Sequence, residues 1–230
     1  MNRFSKKTTI RLAVLAAIAL ASPVLATDYT WQSTAAGTYN WGDAGNWVSA
    51  PGNTTSDVDW LNGDSYPASG LQTINLNAVV TLGTLNLGCS TGSFSLQAGT
   101  GGSLSLGGAS TINQTSVSLG DTIAAPINVT TTYMTIANSS ANPLTISGNI
   151  TATGALGVTI GNYWPSNTAG GLVILSGTNT YAGGTTIWSK SVDTGVGLNT
   201  TLRLTNASAA GTGAISMGPK AGTALQLFST

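Results

Sequence analysis

The feature that most constrains the fold is a pair of apolar residues two positions apart, which recurs along the chain from about residue 71. Residues two apart in an extended strand lie on one face, so each pair predicts a short strand with one buried face. Most gaps between successive pairs are nine to thirteen residues long and are filled by Gly, Asn or Ser. The sequence therefore predicts an all-β protein of many short strands. The pairs are Ile74/Leu76, Leu85/Leu87, Phe94/Leu96, Leu104/Leu106, Val117/Leu119, Ile127/Val129, Met134/Ile136, Leu144/Ile146, Val158/Ile160, Leu202/Leu204, Ile215/Met217 and Leu225/Leu227.

Two architectures place short strands at this spacing, a β-sandwich and a parallel β-helix, which is also called a β-solenoid. Sandwich strands run for about five to ten residues and are joined by tight hairpins, often Asn-Gly or Asp-Gly. Each strand here has only two or three inward positions, and the one Asn-Gly, Asn62-Gly63, precedes the repetitive region. We expect a right-handed parallel β-helix over residues 71–230, in coils of roughly 20–30 residues. A β-sandwich is the alternative.

The scarcity of charge supports stacked coils. Charged residues make up 6% of the chain, whereas apolar residues make up 41% and are patterned. Stacking places equivalent residues above one another, so a charged row would repel itself, as like charges do across strands. Uncharged Thr, Ser and Asn can instead form hydrogen-bonded rows along the stack. The composition therefore fits a solenoid better than a disordered chain, which needs low hydrophobicity and high net charge.

The clearest repeat unit spans residues 170–187. A short apolar strand leads into Ser176-Gly177, then Asn179-Thr180-Tyr181, a Gly183-Gly184 corner and a second, β-branched strand. This order is typical of a corner between stacked solenoid strands. It resembles the autotransporter-associated β-strand repeat, the LSGxNTYxGGTTI unit of large secreted bacterial surface proteins. The resemblance implies an exported, elongated scaffold and leaves its ligand open.

Residues 1–26 have the pattern of a secretory signal peptide. The apolar run of residues 12–20 is shorter than the roughly 20 residues that a membrane-spanning helix needs. Small residues before the Ala26–Thr27 bond place the cleavage there. We therefore expect a secreted or cell-surface protein with no transmembrane segment after cleavage. The basic residues that precede the apolar run are Arg3, Lys6, Lys7 and Arg11.

Cleavage would leave three basic residues against seven Asp, a net charge of −4. Such a protein lacks the basic surface that binds nucleic acid, and it has no polybasic segment for an anionic membrane. We exclude both partners and expect an extracellular polymer, either a polysaccharide or a protein. The oligomeric state stays open.

Residues 27–70 differ from the rest because they hold four of the six tryptophans, Trp31, Trp41, Trp47 and Trp60. Residues 41–47, WGDAGNW, resemble the opening that follows the signal in proteins with these repeats. A solenoid end exposes unpaired backbone and needs a cap. We therefore expect an N-terminal aromatic cap. The alternative is that the four indoles are exposed and stack on sugar rings, as in a carbohydrate-binding module.

The chain offers little for catalysis or metal binding. It contains no His and no Glu, which removes Ser-His-Asp and Cys-His catalysis and His-ligated metals. Asp57 and Asp59 share one face, but a calcium loop would need Asp or Asn at position 61 and Gly at 62, where Leu61 and Asn62 stand. We expect a solvated cap loop there, with no catalytic residue, cofactor or metal.

These observations predict an exported, non-enzymatic structural or adhesive scaffold that resembles an autotransporter passenger. A carbohydrate-binding module is the alternative, and a β-helical polysaccharide lyase or hydrolase is less favoured because Lys190, Arg203 and Lys220 are scattered. The single cysteine, Cys89, cannot form an internal disulfide and is expected to be buried. Residues 225–228 have the pattern of a strand in mid-coil, so we expect a fragment of a longer passenger.

Overall fold

The computed structural model describes residues 27–62, 64–161, 170–188, 199–218 and 223–227. Within them the regular structure is β-strand, with one short 3-10 turn at Ala44–Asn46. The strands are β1 Asp28–Thr30, β2 Ala35–Asn40, β3 Val58–Asn62, β4 Ser69–Asn75, β5 Val79–Gly88, β6 Gly92–Gln97, β7 Ser103–Gln114, β8 Asp121–Ile123, β9 Ile127–Val129, β10 Tyr133–Asn138, β11 Leu144–Ile146, β12 Ile150–Ala152, β13 Gly157–Ile160, β14 Leu172–Leu175, β15 Thr185–Ile187, β16 Thr200–Leu204, β17 Ile215–Met217 and β18 Thr223–Leu227.

The strands stack into parallel sheets that run the length of the described chain. The first sheet has the order β1-β3-β5-β7-β10-β13-β15-β17, and the second has the order β2-β4-β6-β8-β11-β14-β16-β18. The short strands β9 and β12 extend the N-terminal part of β7 into a third face. Each strand pairs with strands one coil away, so the molecule is a β-solenoid of about six turns. The predicted parallel β-helix is confirmed, and the sandwich alternative is wrong because sandwich sheets are antiparallel.

The core is a column of side chains that stack in register from coil to coil. Two positions show it most clearly, and we call them the first inner row and the second inner row. Aliphatic residues fill most of both rows, and those in the middle of each row are buried against their equivalents above and below. The first inner row is Tyr29, Asp59, Leu85, Ile112, Ile136, Ile160, Ile187 and Met217. The second inner row is Tyr39, Ile74, Leu96, Ile123, Ile146, Leu175, Leu204 and Leu227.

Most of the predicted apolar pairs lie on strands and point into this column, but one pair does not. Val117 and Leu119 lie in the turn between β7 and β8 and are 38% and 52% exposed. The inward residue of that turn is Ser118, whose hydroxyl donates a 2.6 Å hydrogen bond to Asp121. The prediction of a strand at Val117/Leu119 is therefore wrong, because a polar contact decides which side chain faces the core.

The segment 27–70 is part of the solenoid as well as its aromatic end. Its strands β1 and β3 lead directly into the first sheet, and β2 leads into the second. Residues 170–187 form the expected arrangement of strand, corner and strand, and Cys89 is buried as expected. The predicted signal peptide, residues 1–26, lies outside the described residues. Among the described residues, no helix has the length and hydropathy to cross a membrane.

Candidate binding site at the aromatic end

Four aromatic rings pack together over the N-terminal end of the core. Trp47 meets Trp31 and Trp41 with ring centroids 5.1 and 4.8 Å apart, and Trp31 meets Tyr39 at 5.8 Å. All three contacts are edge-to-face, the geometry that aromatic quadrupoles favour. We call these four residues the aromatic cap. The three indoles belong to the hydrophobic core, and Tyr39 packs against it at the first position of the second inner row.

Two of the three indole N–H groups of the aromatic cap, those of Trp31 and Trp47, donate hydrogen bonds within the protein. Trp31 Nε1 donates to Gln72 Oε1 at 2.7 Å, and Trp47 Nε1 donates to the Trp41 carbonyl at 2.7 Å. Gln72 is itself fully buried, and its amide nitrogen donates to the Ser33 and Ala35 carbonyls at 2.7 and 2.8 Å. These bonds fix the indoles in the core, since buried polar groups need partners.

Three of the four tryptophans predicted to bind glycans are inaccessible in this structure. Trp31, Trp41 and Trp47 are 1%, 3% and 2% exposed, so none offers an open face for a sugar ring. Trp60 differs, because it points outward from β3 and is half-buried. Glycan binding remains a prediction, and among these four residues Trp60 is the accessible one.

A small cavity lies beside the aromatic cap. Its volume is about 210 Å³, below the range of roughly 300–1,000 Å³ typical of ligand pockets. Asn53 in its lining has φ +61°, and its side-chain oxygen accepts a hydrogen bond from the Thr81 N–H. The cavity is large enough for one small ring or side chain. Its lining residues are Trp41, Gly42, Ala50, Pro51, Asn53, Val79 and Val80.

Asp57 and Asp59 are buried, which corrects the expectation of a solvated loop. Asp57 is 3% exposed and accepts hydrogen bonds from the Thr54 N–H and hydroxyl at 2.8 and 2.6 Å. Asp59 is 1% exposed because it stands in the first inner row, and its Oδ1 has no hydrogen-bond partner. Burial, and secondly the nearby charge of Asp57, raises the pKa of Asp59 to about 7. The carboxyl group of Asp59 on β3 thus faces the core, whereas the sequence suggested that it was solvated.

A third buried carboxyl, Asp121, is hydrogen-bonded on both oxygens. It accepts bonds from the Phe94 N–H at 2.8 Å and the Ser118 hydroxyl at 2.6 Å. Its own N–H donates to Gln114 Oε1 at 2.9 Å. Burial raises the pKa of Asp121 to about 6, although the bonds from Ser118 and Phe94 oppose the shift. These contacts hold the corner between β7 and β8 together.

The outer faces of both sheets carry regular rows of hydroxyl groups. On the first sheet six successive strands present an equivalent hydroxyl, and on the second sheet five do. Beyond Thr145 the same outward position of the second sheet holds Ile174, Arg203 and Gln226, so that row of hydroxyls ends at β11. The first-sheet hydroxyl row is Thr84, Thr111, Thr135, Thr159, Thr186 and Ser216. The second-sheet hydroxyl row is Thr38, Thr73, Ser95, Thr122 and Thr145.

The described residues bring together no group of three or more His, Cys, Asp or Glu side chains that could hold a metal. Arg203 donates from Nε to Gln226 at 2.9 Å, while Lys190 and Lys220 lie outside the described residues. Of the two residues at the predicted cleavage bond, Ala26 lies outside the described residues. Thr27 is described, and its carbonyl accepts a bond from the Val58 N–H at 3.0 Å.

Sequence reasoning missed the three buried carboxyls, Asp57, Asp59 and Asp121, and the cavity. Alternation contained a signal for Asp59, because it stands two residues before the buried Leu61, as Leu85 stands before Leu87. The cavity had no comparable signal, since its walls come from the 50–53 loop and from β5. Comparison with protein-family models, with curated proteins and with solved structures finds no match to this chain.

Proposed function

We propose that this protein is an exported, non-enzymatic scaffold of the autotransporter-passenger type, which acts in the extracellular space or on the cell surface. The observation that carries the proposal is the pair of uncharged hydroxyl rows on the outer faces. Within these two rows each successive coil adds one equivalent hydroxyl at the strand spacing of about 4.8 Å. A surface of this kind repeats the same weak contact many times, which suits an extended partner better than a single small molecule.

Export is tested by expressing the full chain with a C-terminal tag in a bacterium that has an outer membrane. We expect the protein outside the cytoplasm with Thr27 as its first residue, because small residues precede the Ala26–Thr27 bond. N-terminal sequencing and cell fractionation give the readout, and Ala26→Arg is the control that should block processing. A chain retained in the cytoplasm with an intact N-terminus would contradict the proposal.

Adhesion is tested by binding the purified protein to isolated cell walls and to insoluble polysaccharides. We expect Thr135→Lys combined with Thr159→Lys to weaken binding at least tenfold, because both charges lie in the first-sheet hydroxyl row. The matched control is Thr151→Lys, which places a charge on the outer side of β12 in the third face. Equal binding by both variants would show that the first-sheet hydroxyl row does not contact the polymer.

A carbohydrate-binding module is the second candidate, favoured by the half-buried Trp60 and by the cavity beside Trp41. An outward indole can stack on a sugar ring while its polar edge stays hydrated. In a glycan array Trp60→Ala should then abolish binding, whereas Tyr133→Ala, which removes an exposed ring from β10, should leave it unchanged. Equal effects of the two substitutions would exclude this candidate.

A further inference from the structure

Asp59 is an anomaly in the core. The same position in the following coils holds Leu85, Ile112 and further aliphatic residues, so a carboxyl group breaks an apolar row. Its Oδ1 is buried without a hydrogen-bond partner, whereas the other buried acid of the inner positions, Asp121, has partners on both oxygens. Buried polar atoms without partners are rare in folded proteins, and each one needs a physical reason.

The position of Asp59 links it to the aromatic cap. Tyr29 lies directly above Asp59 in the first inner row, and Trp31 follows two residues later on the same strand side. Both belong to the segment around β1, a strand of three residues at the end of the first sheet, where it pairs with β3. On the other side the segment is held by few bonds among the described residues, the Val48 N–H to the Thr30 carbonyl at 2.9 Å and the antiparallel bridge between Trp31 and Trp47. A short edge strand is the least costly part of a sheet to displace. Movement of β1 would uncover Asp59 and lift Trp31.

Among the residues that the structure describes, the groups that face Asp59 offer no positive charge. From β1 the opposite residue is Tyr29, and from the preceding loop the charged neighbour is Asp57. From β5 the opposite residue is Leu85, and the next inward residue of β3 is Leu61. Asp28, Asp43 and Asp64 lie in the same part of the chain, but all three are exposed. An ionised Asp59 would therefore be a buried charge beside a second carboxylate, a costly arrangement.

We propose that Asp59 is a proton-gated latch: its neutral carboxylic acid keeps the aromatic cap closed over the first coil, and loss of that proton opens the cap. In the closed state the carboxyl group is neutral and tolerates the apolar row. In the open state β1 and the Trp31 indole that follows it move away, so water reaches the carboxylate. The latch concerns the stability of the N-terminal end, and it does not depend on the scaffold function proposed above.

The direction of the pH effect follows from linkage. The pKa of Asp59 is raised from its ordinary value of 3.8 to about 7 in the closed state, while an open, hydrated carboxyl returns toward the ordinary value. Between these two values the open state has lost a proton that the closed state keeps. The ratio of open to closed molecules therefore rises by up to about tenfold per pH unit over this window, and it levels off above it.

Hydrogen exchange with mass spectrometry on the full chain, from about pH 5 to about pH 8, measures this ratio after correction for intrinsic exchange rates. We expect the amides of residues 28–47 to lose protection as the pH rises, while those of residues 133–160 keep theirs. Asp59→Leu restores the apolar row and should remove the pH dependence. Asp59→Asn should also remove it, even where the unpaired amide lowers protection at every pH. Asp28→Asn, an exposed acid on β1, is the matched control and should behave like the wild type.

Three results would overturn the latch. Protection of residues 28–47 in the wild type that is independent of pH would show that Asp59 does not gate the cap. A pH response retained in both Asp59 variants would assign it to another group. The series is run with a chelator and again with excess Ca²⁺, and recovery of protection by Ca²⁺ at pH 8 would show that the carboxyls bind a cation instead.

Discussion

At the scale of single residues, two carboxyl groups that both face the apolar core differ in their hydrogen-bond partners, and their pKa values differ as a result. Asp59 and Asp121 both point into apolar rows and both have raised pKa values. Asp121 is held by a backbone N–H and a hydroxyl, so its charged form is partly compensated. Asp59 has no such bond on Oδ1. Hydrogen bonds to the charged form oppose the effect of burial, which explains why the pKa of Asp121 is the lower of the two.

Asp121 predicts a pH dependence of global stability. Its folded pKa of about 6 lies above the ordinary value of 3.8, so the folded state holds its proton more tightly than the unfolded state. Its contribution to stability is complete below about pH 4 and declines as the pH rises to about 6, by at most about 3 kcal/mol. Urea unfolding of the wild type and of Asp121→Asn should give curves of stability against pH that diverge in this window. Asp43→Asn, an exposed acid, serves as control, and parallel curves for wild type and Asp121→Asn would contradict the argument.

Asn179, in the repeat unit, joins neighbouring coils through the hydrogen bonds of its side-chain amide. Its side-chain oxygen accepts the Ile150 N–H at 2.7 Å, and its side-chain nitrogen donates to the Ala209 carbonyl, so one amide bridges three coils. Asn179→Ala would leave a buried N–H without a partner, and we expect a loss of about 2–3 kcal/mol in the free energy of unfolding. Thr178→Ala, at the exposed neighbouring position, should change stability by less than about 0.5 kcal/mol. Denaturant unfolding measures both, and equal losses would disprove the bridging role.

At the scale of elements, alternation in the sequence predicted most strands because each coil buries its inward side chains against equivalent aliphatic residues. It failed where polar groups occupy inward positions. Val117 and Leu119 alternate correctly, but the bond between Ser118 and Asp121 turns Ser118 inward instead. Asp59 follows the same alternation as Leu61, which places it inward, but its charge led to the prediction that it is exposed to solvent. The cavity could not be predicted because it depends on how a loop lies against β5, which no local pattern encodes.

Corner geometry gives a prediction at this scale. Gly148 and Gly154 flank β12, and a side-chain carbon added to Gly148 would overlap the Ala125 carbonyl oxygen, whereas one added to Gly154 would meet nothing within 4 Å. Backbone atoms of a neighbouring coil cannot yield easily, so Gly148→Ala should destabilise the fold by about 1–3 kcal/mol. Gly154→Ala should be neutral or slightly stabilising, because alanine lowers the entropy of the unfolded chain. Thermal unfolding of the two variants tests this pair, and similar melting temperatures would refute the close stacking at Gly148.

At the scale of the whole molecule, each coil contacts only its neighbours, so stability is close to a sum of coil and interface contributions. The two ends of the described solenoid differ. The N-terminal end is covered by the aromatic cap, with Trp31 and Trp47 almost fully buried. At the other end the inner-row residues Met217 and Leu227 are 50% and 69% exposed. A residue at a given row position is therefore expected to contribute more to the free energy of unfolding in a middle coil than in a coil at the exposed end.

Alanine substitutions along the first inner row measure this difference between the middle and the exposed end of the solenoid. Ile136 lies in the middle of the row and is fully buried between Ile112 and Ile160, so Ile136→Ala leaves a cavity and should cost about 2–5 kcal/mol. Met217 occupies the same row two coils beyond Ile160 and is half exposed, so Met217→Ala should cost less than about 1 kcal/mol. Ile187→Ala, in the intervening coil, should fall between them. Denaturant unfolding of the three variants gives the gradient directly. Equal costs at all three positions would mean that the solenoid is held as one uniform core, whereas a decline from Ile136 to Met217 would show that its coils stabilise one another in sequence.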